Sequence, residues 1–78
     1  MSKSEKEYSV GDRTFVIRSE PENGGYRVAG FERGEQVTFT YNVSFVTASD
    51  FQLYTGEDAV EQLANSVKAE LEALAKEN

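Results

Sequence analysis

The feature that most constrains the fold is an alternating pattern in the middle of the chain. Between Val37 and Phe45, apolar residues occupy every second position and Thr, Asn or Ser occupies each position between them. Successive side chains of a strand point to opposite faces of a sheet, so this pattern predicts one long strand with a single apolar face. We expect this strand to be the third of the sheet and to run to about Thr47.

Two turn signals precede this strand and set its pairing. The Asn-Gly pair at 23–24 favours a two-residue hairpin turn because both residues tolerate positive φ, and the Arg-Gly pair at 33–34 is a weaker turn signal. Two-residue turns at these sites place Ser19 and Phe39 opposite Val28, from the two neighbouring strands. The apolar residues of all three strands then share one face, and a slip of one residue would separate them.

A helix is predicted near the C-terminus, over roughly residues 57–76. Thr55 is a suitable N-cap, with Asp58 three residues later in a spacing that resembles a capping box. From Val60 to Ala75, apolar residues recur every three or four positions, which is typical of a helix with one buried face. The segment before it is ambiguous, because Phe51 and Leu53 fit a short fourth strand or a single helical turn.

These patterns together predict an α+β fold in the order β-β-β-α. We expect an antiparallel meander of three or four strands with one long C-terminal helix packed on its apolar face. Residues 1–7 are polar and are expected to form a flexible N-terminal tail, with residues 8–78 as a single domain. The predicted core consists of Phe15, Ile17, Tyr26, Val28, Val37, Phe39, Tyr41, Val43, Val60, Leu63, Val67 and Leu71.

Composition argues against catalysis. The 78 residues include no His and no Cys, so the commonest general base, the commonest metal ligand and the thiol nucleophile are absent. The remaining acids and bases form no catalytic set, glycine-rich phosphate loop or convincing metal site. We therefore expect a protein that is not an enzyme and holds no cofactor or metal ion.

Charge is distributed unevenly along the chain, whose formal net charge is −6. Residues 1–34 carry six basic and six acidic residues, whereas residues 35–78 carry two and eight. The acidic C-terminal helix is therefore a candidate site for a protein partner, and binding to nucleic acid is not expected. The longest apolar run has three residues, against about 20 for a membrane helix, and no signal peptide is evident, so we expect a cytoplasmic protein without a membrane segment.

Two surfaces are candidates for interaction. On the outer face of the sheet, Arg18, Arg27 and Phe31 form either a small binding surface or part of a solvated face in which Glu20 pairs with Arg27. The second surface is the edge of the third strand.

The third strand is expected to extend beyond its partner, which leaves Val43 and Phe45 at an open apolar edge. The segments 8–10 and 51–53 and the same strand of a second subunit are the candidates to cover it. The leading hypothesis is a non-enzymatic interaction or regulatory module that forms a homodimer through strand 37–47.

The segments 22–28 (ENGGYRV) and 55–63 (TGEDAVEQL) resemble the layout of HicB-type antitoxin domains. In that family a glycine hairpin, further strands and a helix form a sheet with helices on one face. The resemblance implies an antitoxin-type module that binds a basic protein partner. A third hypothesis is a small enzyme or ligand-binding protein that uses carboxylates and tyrosines, and it predicts a cleft between helix and sheet.

Overall fold

A computed structural model describes residues 4–77 of the chain as a five-stranded antiparallel sheet followed by two helices. The predicted α+β class, the antiparallel meander and the long C-terminal helix are confirmed. The elements are β1 (Ser4–Val10), β2 (Arg13–Glu22), β3 (Gly25–Glu32), β4 (Glu35–Gln36), β5 (Tyr41–Ser44), α1 (Phe45–Thr55) and α2 (Ala59–Lys76).

The hairpins form at the predicted turns. β2 pairs with β3 in the expected register, with Ser19 opposite Val28. At the first turn Gly24 has φ 78° but Asn23 does not have positive φ, so this is not the type I′ turn that an Asn-Gly pair favours. At the second turn both Arg33 (φ 53°) and Gly34 (φ 82°) have positive φ, as a type I′ turn requires. The two turns therefore join β2 to β3 and β3 to β4. The sheet has the order β1-β2-β3, with β4 and β5 sharing the far edge of β3.

The single long strand predicted over residues 37–47 is wrong. The chain leaves the sheet after β4 and returns as β5, where Tyr41 rather than Phe39 lies opposite Val28. The register has shifted by two residues, and an even shift returns each side chain to its original face. Tyr41 and Val43 therefore stay on the inner face, whereas Phe39 leaves the predicted core and is 77% exposed.

Thr38 explains why the strand breaks. Its side chain is buried, and its Oγ1 accepts a hydrogen bond from the backbone N–H of Gly30 at 2.8 Å. The same hydroxyl donates to the carbonyl oxygen of Phe39 at 2.9 Å, and the N–H of Phe39 donates to Oε1 of Glu70 at 3.0 Å. The detour over residues 37–40 is thus hydrogen-bonded to both the sheet and α2.

The region between the sheet and α2 also differs from the prediction. Ser44 caps a helix of 11 residues, α1, by accepting a hydrogen bond from Thr47 N at 3.1 Å, so residues 45–47 are not strand and residues 51–53 are neither a strand nor a single turn. Thr55 ends α1 instead of capping α2. Asp58 is the N-cap of α2, and its Oδ1 accepts from Val60 N at 2.9 Å.

The segment predicted to be a flexible N-terminal tail, residues 1–7, overlaps β1. β1 begins at Ser4 and pairs with β2 along its whole length, with Lys6 opposite Ile17. Residues 4–7 are therefore part of the sheet, and the first three residues of the predicted tail lie outside the described residues.

The core lies between the inner face of the sheet and α2. Hydrogen bonds fasten both sides of the helix, since the hydroxyl of Tyr8 donates to Glu72 and that of Tyr41 donates to Oε2 of Glu70 at 2.7 Å. Six residues of the predicted core are half-buried. Val37, Tyr41, Val60 and Leu63 pack against the buried cluster, whereas Tyr26 and Val43 are not among the residues packed against it. The fully enclosed cluster consists of Phe15, Ile17, Val28, Val67 and Leu71.

Candidate interaction surfaces

The most exposed apolar surface of the described chain lies on α1, which contains no buried residue. Val46, Leu53 and Tyr54 are 71%, 77% and 84% exposed. Leu53 and Tyr54 follow Val46 by seven and eight residues, so they lie two turns further along the same side of the helix. We call these three residues the α1 patch. Asp50 is the one charged residue within α1.

The opposite side of α1 attaches the helix to the hairpin between β2 and β3. The backbone N–H of Phe45 donates to the carbonyl oxygen of Gly24 at 2.8 Å, and the Phe45 ring contacts the Tyr26 ring edge to face, with centroids 4.9 Å apart. Ala48 and Phe51 on this side are half-buried. α1 is therefore held in place by one side while the α1 patch faces solvent.

Val43 and Phe45, the residues predicted at the open edge, occupy different elements. Val43 is half-buried in β5 opposite Tyr26, whereas Phe45 begins α1 and is 44% exposed. Within residues 4–77, β5 pairs with β3 alone, so its other edge is open. The open edge is thus confined to Tyr41–Ser44, and it leads directly into α1.

The outer face of the sheet brings Arg18 and Phe31 together. The Arg18 guanidinium lies 4.3 Å from the centroid of the Phe31 ring, and its Nε donates to Oε2 of Glu5 at 2.7 Å. Phe31 is half-buried beneath this contact. Arg18 is therefore engaged by a ring on one side and by a carboxylate on the other.

Arg27 is also paired on this face. It forms an ion pair with Glu20 across the hairpin, as the solvated-face hypothesis predicts, and a second with Glu22 at 3.3 Å. The hydrogen bond with Glu20 raises the pKa of Arg27. A polyanion would have to displace these carboxylates, so the ion pairs favour a solvated face over a site for nucleic acid.

The hydrogen bonds of Tyr8 with Glu72 and of Tyr41 with Glu70 connect α2 to the sheet. The hydrogen bond to Glu72 raises the pKa of Tyr8, and the hydrogen bond to Glu70 raises the pKa of Tyr41. Both hydroxyls are therefore held in their protonated, donating form. They join α2 to β1 on one side and to β5 on the other.

The described part of the chain contains no group of three acidic side chains placed to hold a metal ion, and this includes the acidic residues at the start of α2. Within residues 4–77, neither helix is long and apolar enough to cross a membrane. A groove does lie between the sheet and α2, where the ligand-binding hypothesis predicts a cleft.

Comparison of the chain with protein-family models, with curated proteins and with solved structures finds no match in any of the three. The resemblance to HicB-type antitoxin domains therefore depends on the segments 22–28 and 55–63 alone. In the second segment Gly56 has φ 76° and ends α1, so the Thr-Gly pair is not the start of the following helix. The antitoxin-type role stays a prediction.

Sequence reasoning missed the α1 patch, although two local signals mark the ends of its helix. Ser44 is a favourable N-cap residue, and Gly56 is the residue most often found in the left-handed conformation after a helix. Phe45, Ala48 and Phe51 have helical spacing between them. The alternation at 37–45 concealed these signals because it continues through Phe45.

Proposed function

We propose that the protein is a non-enzymatic interaction module that forms a homodimer through the α1 patch and the adjoining edge of β5. The observation that carries this proposal is the exposure of Val46, Leu53 and Tyr54 on one side of a helix with no buried residue. Exposed large apolar side chains grouped on one side of a helix mark interaction surfaces in soluble proteins, and here they flank Asp50, which lies between Val46 and Leu53 on that side. Tyrosine is also among the residues enriched at the centres of interfaces.

The distribution of charge favours a second copy of this chain as the partner. Two copies that each carry a net charge of −6 repel one another, and the repulsion is least where their surfaces are neutral. β5 contains no charged residue and α1 contains only Asp50. These two adjoining elements therefore offer the approach with the least like-charge contact.

Geometry is consistent with a two-fold arrangement. An 11-residue helix is about 16 Å long, and in a two-fold dimer two such helices cross with the same residues on each side. A stable interface buries about 800 Å² on each partner, more than three side chains supply. The open edge of β5 provides the additional contact, through backbone hydrogen bonds to the same edge of the partner.

The paired tyrosines support the non-enzymatic part of the proposal. Tyr8 and Tyr41 donate to Glu72 and Glu70, so four of the groups that remain for acid–base chemistry in a chain without His or Cys join α2 to the sheet. A general base needs a pKa near the working pH, and these hydrogen bonds move both tyrosines further from it.

Light scattering after size exclusion, at protein concentrations up to about 1 mM, tests the dimer. A Kd of about 1 mM corresponds to a binding free energy of only about 4 kcal/mol, so this range detects even weak association. We expect the mass of a dimer, and the mass of a monomer for Leu53→Glu, which places a charge in the interface. Ala73→Glu adds the same charge on the exposed surface of α2 and should leave the dimer intact. A monomer throughout the range, or a Leu53→Glu variant that still dimerises, would contradict the proposal.

A further inference from the structure

A groove of about 490 Å³ separates the first two strands from the N-terminal half of α2. Its apolar surface comes from Ile17 and Tyr26 on the sheet and from Val60 and Ala64 on the helix. Ala64 is a small residue on the packed side of α2, where a larger side chain would occupy the space. The volume lies within the range of about 300–1,000 Å³ that is usual for small-molecule sites.

Two lysines line the groove from opposite sides. Lys6 lies on the inner face of β1 opposite the buried Ile17, and Lys68 projects from α2 with its Nζ 5.6 Å from the centroid of the Tyr8 ring. Across residues 4–77, no carboxylate forms an ion pair with either ammonium group. The lining also contains four carboxylates, so their positions decide whether the two ammonium groups are available to a ligand.

Three of the carboxylates that line the groove have other positions or partners. Glu7 lies on the outer face of β1, opposite Val16. Glu20 pairs with Arg27, and Asp58 caps α2 through the N–H of Val60. Glu61, exposed in the first turn of α2, is the fourth acidic residue of the lining.

We infer that this groove binds a small amphipathic carboxylate, with its hydrocarbon part on the apolar floor and its carboxylate between Lys6 and Lys68. Small-molecule sites combine an apolar lining with a few polar groups that fix orientation, and the two ammonium groups supply that function here. Two cations from different elements favour an anion over a neutral ligand. The inference concerns a site apart from the α1 patch, and it does not depend on dimerisation.

Decanoate, kept below the concentration at which it forms micelles, is a suitable probe. We expect saturable binding by calorimetry, with changes in the amide NMR signals of Ile17, Ala64 and Lys68. Decanol has the same hydrocarbon chain without a charge, and decyltrimethylammonium has the same chain with a positive charge. Both should bind at least about tenfold more weakly than decanoate, because each loses the charge-assisted contacts.

Two matched pairs of variants locate the binding. Lys68→Met keeps most of the side-chain volume and should weaken decanoate binding, whereas Lys76→Met removes an exposed lysine near the end of α2 and should not. Ala64→Phe should fill the groove and abolish binding, whereas Ala73→Phe adds the same ring at an exposed position. If Ala64→Phe does not fold, the double variant Lys6→Met with Lys68→Met replaces it.

Three outcomes would overturn the inference: no decanoate binding, unchanged binding in the Ala64→Phe or double-lysine variant, and NMR changes confined to α1. None of them bears on the homodimer, whose test uses oligomeric mass and a variant of Leu53.

Discussion

The hydroxyl of Thr38 accepts the hydrogen bond of Gly30 N–H, at 2.8 Å, that a continuous strand would have given to a backbone carbonyl. Gly30 O still accepts from Val37 N at 2.9 Å, so the predicted pairing of these two residues is half formed. A Cβ on Gly30 would lie 2.9 Å from Cγ2 of Thr38 and 3.0 Å from Cγ1 of Val67. The threonine side chain therefore fits against the sheet because residue 30 is glycine.

Thr38→Val tests the importance of this contact. Valine has the same shape but no hydroxyl, so the Gly30 N–H is left buried without its partner, at a cost of about 1–3 kcal/mol in the free energy of unfolding. Urea denaturation measures the change. Thr40→Val, which removes only a solvent-exposed hydrogen bond from Gln36, is the control and should change stability by less than about 0.5 kcal/mol. Equal stability of the two variants would show that Thr38 does not hold the detour.

The pairing of Arg13 with Glu32 predicts a dependence on acid pH. Two hydrogen bonds, of 2.6 and 3.0 Å, lower the pKa of Glu32 below its ordinary 4.5. A lowered pKa stabilises the fold above pH 4.5, and the stabilisation is lost as the pH falls through the lowered value.

Glu32→Gln should therefore destabilise the protein at neutral pH, and the difference from the parent should disappear in acid. Thermal unfolding over a series of pH values measures both effects. Glu35→Gln, at an exposed position in β4, is the control and should show no such pattern. A constant difference at every pH would contradict the role of the ion pair.

Alkaline pH should weaken the hydrogen bond between Tyr41 and Glu70, which connects β5 to α2. The pKa of Tyr41 is raised above 10.0 by its hydrogen bond to Glu70, so its contribution to stability is present below pH 10.0 and is lost as the pH rises through the raised value. Tyr41→Phe should therefore be less stable at neutral pH and lose less stability in alkali than the parent. Tyr54→Phe, at an exposed position, is the control. Parallel pH curves for parent and Tyr41→Phe would contradict this expectation.

Ser44→Ala should lower the local stability of α1. The Ser44 side chain accepts the hydrogen bond of Thr47 N–H, and loss of such an N-cap costs about 0.5–2 kcal/mol. Ser49→Ala changes the same residue type within the helix and should have little effect. Hydrogen exchange of the α1 amides measures the local opening, and equal exchange in both variants would contradict the assigned cap.

The parts of the fold that could be predicted depend on neighbouring residues. The Asn23-Gly24 pair determined one hairpin and its register, and the regular spacing from Val60 to Leu74 determined α2. The break at Thr38 depends on Gly30, which is eight residues away in sequence and opposite in the sheet. No local pattern records that contact, so the alternation alone predicts a continuous strand.

The candidate sites were predicted less well for a related reason. The register assigns Arg18, Arg27 and Phe31 to one face and predicts the pairing of Arg27 with Glu20. The ion pair of Arg18 could not be predicted, because it depends on Glu5, a residue expected to lie in a flexible tail. The groove depends on where α2 crosses the sheet, and that position follows from packing rather than from any motif.

The detour over residues 37–40 also shortens the exposed strand edge on the β5 side of the sheet. Where one strand is predicted over residues 37–47, the chain forms β5 of four residues, which is shorter than the six or seven residues typical of segments that stack into fibrils. An edge this short favours a contact that closes on itself in a pair of molecules over one that continues from copy to copy.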